Sequence, residues 1–191
     1  MKVVRYAIVL LIFGAVAGGV LAYSNDITAP IIAEQEKAGS FAAFQEIFPD
    51  ADDFVAIDEG LLNEIITEHG TVKEIIEVKS GEEAIAYVFN TISGGYGGGI
   101  STISGFNLDG TIAGIRITEN SETPGLGTKI VDDPAYQESY VGKSVMEDLV
   151  LSASPTGENE VLLLSGATVS SEGVLRGVND AREAFINFLA N

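Results

Sequence analysis

Twenty consecutive uncharged residues, Tyr6 to Asn25, constrain this chain more than any other feature. As a helix rising about 1.5 Å per residue they would reach about 30 Å, the thickness of a bilayer's hydrocarbon core. Lys2 and Arg5 precede the run and Asp26 follows it. Basic residues stay on the cytoplasmic side, so Met1 is expected in the cytoplasm and the chain after Asp26 outside the membrane. Gly14 and Gly18 form a small-xxx-small pair, a spacing at which a second membrane helix can pack closely. Val20-Leu21-Ala22 also suits cleavage of a signal peptide. The length of the run favours a retained anchor, and both readings export the remainder. The expectation is an anchor over residues 1–27 and one exported domain over 28–191.

The chain is strongly acidic, with 28 Asp and Glu against 10 Lys and Arg and a formal net charge of −18. Such a surface repels nucleic acid and anionic lipid. There is no cysteine, which excludes disulfides, thiolate-bound metals and a cysteine nucleophile. His69 is the one histidine, so no His-cluster metal site is expected. Its Glu68-His69-Gly70 setting reads as an exposed turn with a structural role. No catalytic and no metal-ligating residue is predicted.

Thr28-Ala29-Pro30 predicts a helix start with Pro in the first turn. Ile31 to Phe48 then predicts a helix mixed with Glu34, Glu36 and Lys37, with Gly39-Ser40 as the place for a break and Pro49 as its end. A short strand is expected at Phe54 to Ile57, followed by at most a helical turn. Strands are expected from Val72 to an end at Ser80-Gly81, and from Ala84 to Ile92, Ile100 to Leu108 and Thr111 to Thr118. Asp109-Gly110 reads as a two-residue hairpin, and the set as an antiparallel meander. A short helix is expected from Asp132-Asp133-Pro134 to about Val141, and strands at Leu149 to Ser152 and Val161 to Leu164. Val174, Val178, Ala181 and Phe185 recur at helical spacing, predicting a helix from about Ser171 to the C-terminus. The fold class is α+β: an N-terminal transmembrane helix, then one domain with an antiparallel or mixed sheet flanked by helices.

The passage from Val161 to Ser171 is a strand, a turn of small residues and a helix start. That geometry binds anions, because the first amides of a helix lack partners within it and its dipole is positive there. Ser165, Gly166 and Ala167 would let a phosphate approach the backbone, and Thr168, Ser170 and Ser171 add hydroxyl donors. An ordinary Ser-capped helix fits the same residues. The segment Glu119 to Gly127 is too long for a hairpin turn and carries Leu126 between two glycines. It reads either as a disordered acidic loop or as a loop shaped to approach something flat.

Ser165-Gly166-Ala167-Thr168, followed by Val169-Ser170-Ser171, resembles the flavinylation motif of the FMN-binding domain family. Glu122-Thr123-Pro124-Gly125-Leu126-Gly127 is similar to that family's other signature and lies upstream in the expected order. Gly95-Tyr96-Gly97-Gly98 and the Asp109-Gly110 hairpin resemble it too. The resemblance covers almost the whole chain. It is closest to the G subunits of Rnf-type electron-transport complexes, with the C subunits of sodium-pumping NADH:quinone reductases a similar branch.

The resemblance implies covalent FMN, joined through its phosphate to Thr168 by a separate flavin transferase, with Ser170 as the alternative attachment site. It implies that Thr123 and Leu126 touch the isoalloxazine while Glu122, Gly125 and Gly127 shape the loop. Lys129 would pair with the phosphate or a flavin oxygen. The implied function is electron carriage within an ion-translocating oxidoreductase. The implied partners are the other membrane subunits of an Rnf-type complex, notably the D subunit, which carries a second FMN, and the A, B, C and E subunits. A stand-alone exported flavoprotein and a non-redox anchored binding module are the alternatives.

Overall fold

Helix α1 runs unbroken from Lys2 to Ile47 in the computed structural model, which describes residues 2–190. Met1, Asn191 and the side chains of Ala33, Glu36 and Lys37 lie outside the described residues, so the expectations placed on Met1, Glu36 and Lys37 fall there too. Lys2–Ile32 is long and apolar enough to cross a membrane, and none of its apolar window is buried by the protein. An exposed apolar segment of that length fits a single-pass membrane subunit. The expected start at Thr28-Ala29-Pro30 and the expected break at Gly39-Ser40 are both corrected: Pro30 sits inside the helix. Proline removes one rung of the ladder, while Ala29 and the helix formers after it carry the helix through. Thr28 Oγ1 donates back to the Ser24 carbonyl at 3.0 Å. By packing, the chain divides into two units between Gly39 and Ser40.

The second unit is built on the expected meander. Strands β1 (Asp53–Ala56), β2 (Val72–Ser80), β3 (Glu83–Gly94), β4 (Gly99–Asn107) and β5 (Ile112–Glu119) lie in sequence order. Every neighbouring pair is antiparallel. Both faces of the sheet are covered, and the period-two alternation sorts the side chains. On β3, Ala86 and Val88 join Ile76, Val78 and Ile103 against Ala43, Phe44 and Phe48. Phe89 points the other way, with Ile75, Phe106 and Ile115, into the larger core.

The β4–β5 connection corrects the two-residue hairpin. Asn107 N–H donates to the Thr111 carbonyl at 2.9 Å, so Leu108, Asp109 and Gly110 form a three-residue loop. Gly110 adopts φ +81, the left-handed residue that such loops place at their end. Asp109 Oδ1 accepts from Thr111 N at 3.0 Å, which stabilises this longer form.

Helix α2 (Glu59–Glu68) forms in place of the single turn expected there. Asp58 Oδ1 accepts from Gly60 N and Leu61 N at 2.9 and 3.1 Å, satisfying amides that the helix leaves open. His69 follows it and corrects the exposed turn: it is 5% exposed. Its Nδ1 lies 2.8 Å from Asp180 Oδ1, and its ring meets Phe188 edge-on. Asp180 Oδ2 also accepts from Thr71 N at 3.0 Å and from the Thr71 hydroxyl.

After β5 come α3 (Lys129–Asp132), α4 (Pro134–Glu138), β6 (Val150–Ser152), β7 (Glu160–Leu162) and α5 (Thr168–Phe188). The short helix expected to open at Asp132-Asp133-Pro134 is α4, capped by Asp133, which accepts from Ala135 N at 3.1 Å; it ends at Glu138 rather than about Val141, and α3 is an additional short helix before it. The strands β6 and β7 pair with each other in parallel, forming a second small sheet. Helix α5 begins three residues before the expected Ser171, at Thr168. It lays Val174, Val178, Ala181, Ala184 and Phe185 into the larger core, where Phe185 meets the rings of Phe89 and Phe106. Val174, Val178 and Phe185 each contribute about 1.5–3 kcal/mol by leaving water. Arg182, 4% exposed, donates to the Val145 carbonyl at 2.8 Å and pairs with Asp148. Burial draws its pKa down from the usual guanidinium range.

Candidate functional site

The chain enters α5 through Gly166, at φ +81, and Ala167, which takes the N-cap position with no side-chain hydrogen bond. The helix is therefore not Ser-capped, and its first amides have no partner inside it. Thr168 and Val169 are exposed at this opening, whereas Ser170 turns inward and is 2% exposed.

Facing the opening is the segment from Glu122 to Gly127, and it is ordered rather than a loose acidic loop. Leu126 N and Thr128 N both donate to the Thr123 carbonyl, at 3.1 and 3.3 Å. Thr128 Oγ1 accepts from Gly125 N at 3.0 Å. Gly127 must lack a side chain here, because a Cβ would stand 2.6 Å from Glu122 Oε2. Tyr96, at the tip of the β3–β4 turn, supplies the third side. Together these segments enclose a cleft of about 440 Å³, within the range of pockets that take a cofactor.

Eight of the residues predicted from the sequence share this cleft: Gly166, Ala167, Thr168 and Ser170 on the helix side, and Glu122, Thr123, Leu126 and Gly127 on the loop side. Four stand elsewhere. Ser165 is exposed in the turn before the helix. Ser171 is fully buried, with its Oγ accepting from Leu164 N at 3.4 Å and its carbonyl accepting from the Tyr136 hydroxyl at 3.3 Å. Gly125 lies exposed at the loop tip. Lys129, the first residue of α3, is half-buried and not part of the cleft wall.

Two cleft residues, Tyr96 and Val169, are not among the predicted site residues. Tyr96 carries a readable signal, an aromatic side chain among glycines that offer it no apolar neighbours to be buried with. It is 75% exposed; Leu126 and Val169 are 50% and 45% exposed. Behind the opening, Tyr136 and Tyr140 are buried with their hydroxyls 3.2 Å apart. Burial pushes both phenols far above their usual range, so they form a neutral backing to the first turn of α5.

The wall thus offers exposed apolar and aromatic surface beside an uncapped helix start. A ligand with a flat apolar ring and a phosphate matches both parts, and FMN is such a ligand.

Comparison with known proteins gives the same picture. Residues 1–47 match the RnfG N-terminal region and residues 95–183 match the FMN-binding domain. The G subunit of the Na(+)-translocating ferredoxin:NAD(+) oxidoreductase complex of Acetobacterium woodii is 35% identical over 193 residues, covering 97% of this chain and 92% of that one. The G subunit of the ion-translocating oxidoreductase complex of Vibrio atlanticus is 29% identical, covering 93% and 87%. Among solved structures, Shewanella oneidensis NqrC has a TM-score of 0.55 at 22% identity, covering 76% of this chain and 85% of that one. The C subunit of the Na(+)-translocating NADH-quinone reductase from Parabacteroides distasonis has a TM-score of 0.57 at 20% identity, covering 74% and 79%. Those two likenesses concern the fold. With near full-length similarity to the first relative and family matches over residues 1–47 and 95–183, this chain belongs to the RnfG family, the G subunits of ion-translocating oxidoreductase complexes, and carries that family's FMN-binding domain.

Proposed function

We propose that this chain is the electron-carrying G subunit of a membrane-bound, Rnf-type ion-translocating oxidoreductase, holding one FMN as a phosphoester of Thr168. The observation that carries the reading is the contrast between two hydroxyls on one cleft. Thr168 is exposed at the uncapped first turn of α5. Ser170 is buried and its hydroxyl already donates to Glu122 Oε2 at 2.6 Å. Attachment needs an accessible oxygen, and free amides beside it to receive phosphate oxygens, so Thr168 is the better acceptor.

The bound flavin supplies the redox chemistry, while the protein positions and tunes it. Leu126 and Tyr96 present the apolar surface for the ring, and Thr123 adds a hydroxyl beside it. A covalent link keeps the cofactor where free FMN is scarce. In this reading Met1 is cytoplasmic and the domain stands outside the membrane, following the basic residues Lys2 and Arg5. A flavin transferase loads the chain, and its neighbours are the remaining subunits of the complex, the D subunit with its own flavin among them. Ferredoxin and NAD(+) are named for the Acetobacterium woodii relative, and this chain would relay electrons within a complex of that kind.

The test is the intact mass of full-length chain coexpressed with a flavin transferase. The expected value is the polypeptide plus FMN less one water, with an in-gel fluorescent band that survives denaturation. Thr168→Val should abolish both. A bare polypeptide mass, or a label that survives Thr168→Val, would overturn the assignment; in the second case Ser170→Ala is the variant to examine.

A further inference from the structure

The carboxylate of Glu122 occupies a place that two glycines, Gly95 and Gly127, keep open. It is 5% exposed, on the cleft wall. Its Oε1 accepts from Gly97 N at 2.9 Å and its Oε2 accepts from the Ser170 hydroxyl at 2.6 Å. A Cβ on Gly95 would run into Oε1, one on Gly127 would stand 2.6 Å from Oε2, and one on Gly97 would strike the Ser121 carbonyl. One side chain therefore joins the β3–β4 turn, the loop after β5 and the first turn of α5. These are the three segments that make the cleft.

Burying a carboxylate is costly unless donors satisfy it. Here both oxygens are satisfied, by bonds of the charge-assisted kind. Glutamine could make the same two contacts, with its oxygen facing Gly97 N–H and its amide donating to Ser170 Oγ, and would bury no charge. The geometry alone does not require a carboxylate. What the carboxylate adds is a fixed negative charge on the wall of a partly enclosed cleft, where Coulomb interactions are less screened than in water.

We propose that Glu122 is the positioning residue of the flavin cleft, bolting its three segments together and lowering the reduction potential of the flavin held there. This rests on the reading that FMN occupies the cleft. A negative charge in the same cleft opposes the arrival of electrons on a flavin held there, so removing that charge would raise the potential. The bolt and the charge are separable by two conservative substitutions. Glu122→Gln keeps the reach and removes the charge. Glu122→Asp keeps the charge and is one methylene short of spanning from Gly97 to Ser170.

The experiment uses full-length wild type, Glu122→Gln and Glu122→Asp, each made with and without a coexpressed flavin transferase. Intact mass gives flavin content, spectroelectrochemistry gives the midpoint potential of the loaded forms, and hydrogen exchange of the unloaded forms reads the Gly97 amide. Glu122→Gln is expected to protect Gly97 like wild type and, in its loaded fraction, to show an upward shift in potential. Glu122→Asp is expected to exchange at Gly97 about tenfold faster, the loss of one hydrogen bond to a charged acceptor, and to be loaded less completely. A wild-type potential in Glu122→Gln, or wild-type Gly97 exchange in Glu122→Asp, overturns the proposal. Unloaded wild type would instead sink the flavin assignment, and the exchange data would still judge the bolt by itself.

Discussion

The two ends of α5 are held by opposite means. Its later turns are buried and tied down: Val178, Ala181 and Phe185 lie in the core, Asp180 gathers His69 and Thr71, and Arg182 reaches Val145 and Asp148. Its first turn has no side-chain cap and exposes Thr168 and Val169. Open amides and bare apolar surface cost stability, and they are tolerable where a ligand will meet them. The difference teaches where this unit keeps its stability and where it keeps its binding capacity, within a single helix of 21 residues.

If that division is right, substitutions should lose their structural effect steadily toward the opening. Phe185→Ala removes a ring that meets Phe89, Phe106 and Tyr87, and should cost about 3–5 kcal/mol in chemical denaturation. A loss below about 1 kcal/mol would break the comparison at its strong end. Gly173→Ala lies nearer the opening, where a Cβ would stand 2.7 Å from the Gly94 carbonyl. Alanine is the better helix former by about 1 kcal/mol. The backbone oxygen cannot give way as a side chain would, so a net loss of about 1–3 kcal/mol is expected. Stabilisation would show that the front of α5 is not seated on β3 as described. Thr168→Val should change stability by no more than about 0.5 kcal/mol while removing all covalent flavin, so denaturation and mass spectrometry on one variant separate the two ends.

Acid provides the smallest effect and a control. Arg116 hydrogen-bonds Glu46 at 2.8 Å and holds its carboxyl below the ordinary value of 4.5. The amides of Thr156 and Gly157 do the same for Glu160. A group whose folded pKa is depressed stabilises the fold fully above its unfolded value. That contribution is lost as pH falls below 4.5 through the depressed values. Neither carboxylate belongs to α5, so Thr168→Val and wild type should lose stability in parallel over that acid range. Divergence of their melting curves in acid would tie the opening to Glu46 and Glu160.

Local patterns make the meander legible, and distant contacts hide the rest. Alternation in Ala84 to Ile92 and in Thr111 to Thr118 needs only neighbouring residues to be read, and the strands are there. Asp58 ahead of Leu61, Leu62 and Ile65 is a readable helix signal for α2, stronger than the single turn expected of that stretch. His69 cannot be read locally, because its burial depends on Asp180, 111 residues later. Pro30 misleads because its usual place is a first turn, while a flanking run of helix formers decides otherwise. In the cleft, motifs locate Thr168, Glu122 and Leu126. That Glu122 reaches from Gly97 to Ser170, and that Ser171 turns into the core, follows from the folded backbone and from no spacing.

The cleft draws on residues from Tyr96 to Ser170, and the helix that forms one wall is seated by side chains as late as Phe185. A nascent polypeptide therefore possesses no such recess until its synthesis has passed Phe185. Any modification that depends on the recess reports only on molecules that contain α5, and chains terminated before that helix would carry no mark. Counting labelled chains in a cell would then amount to counting those that had matured.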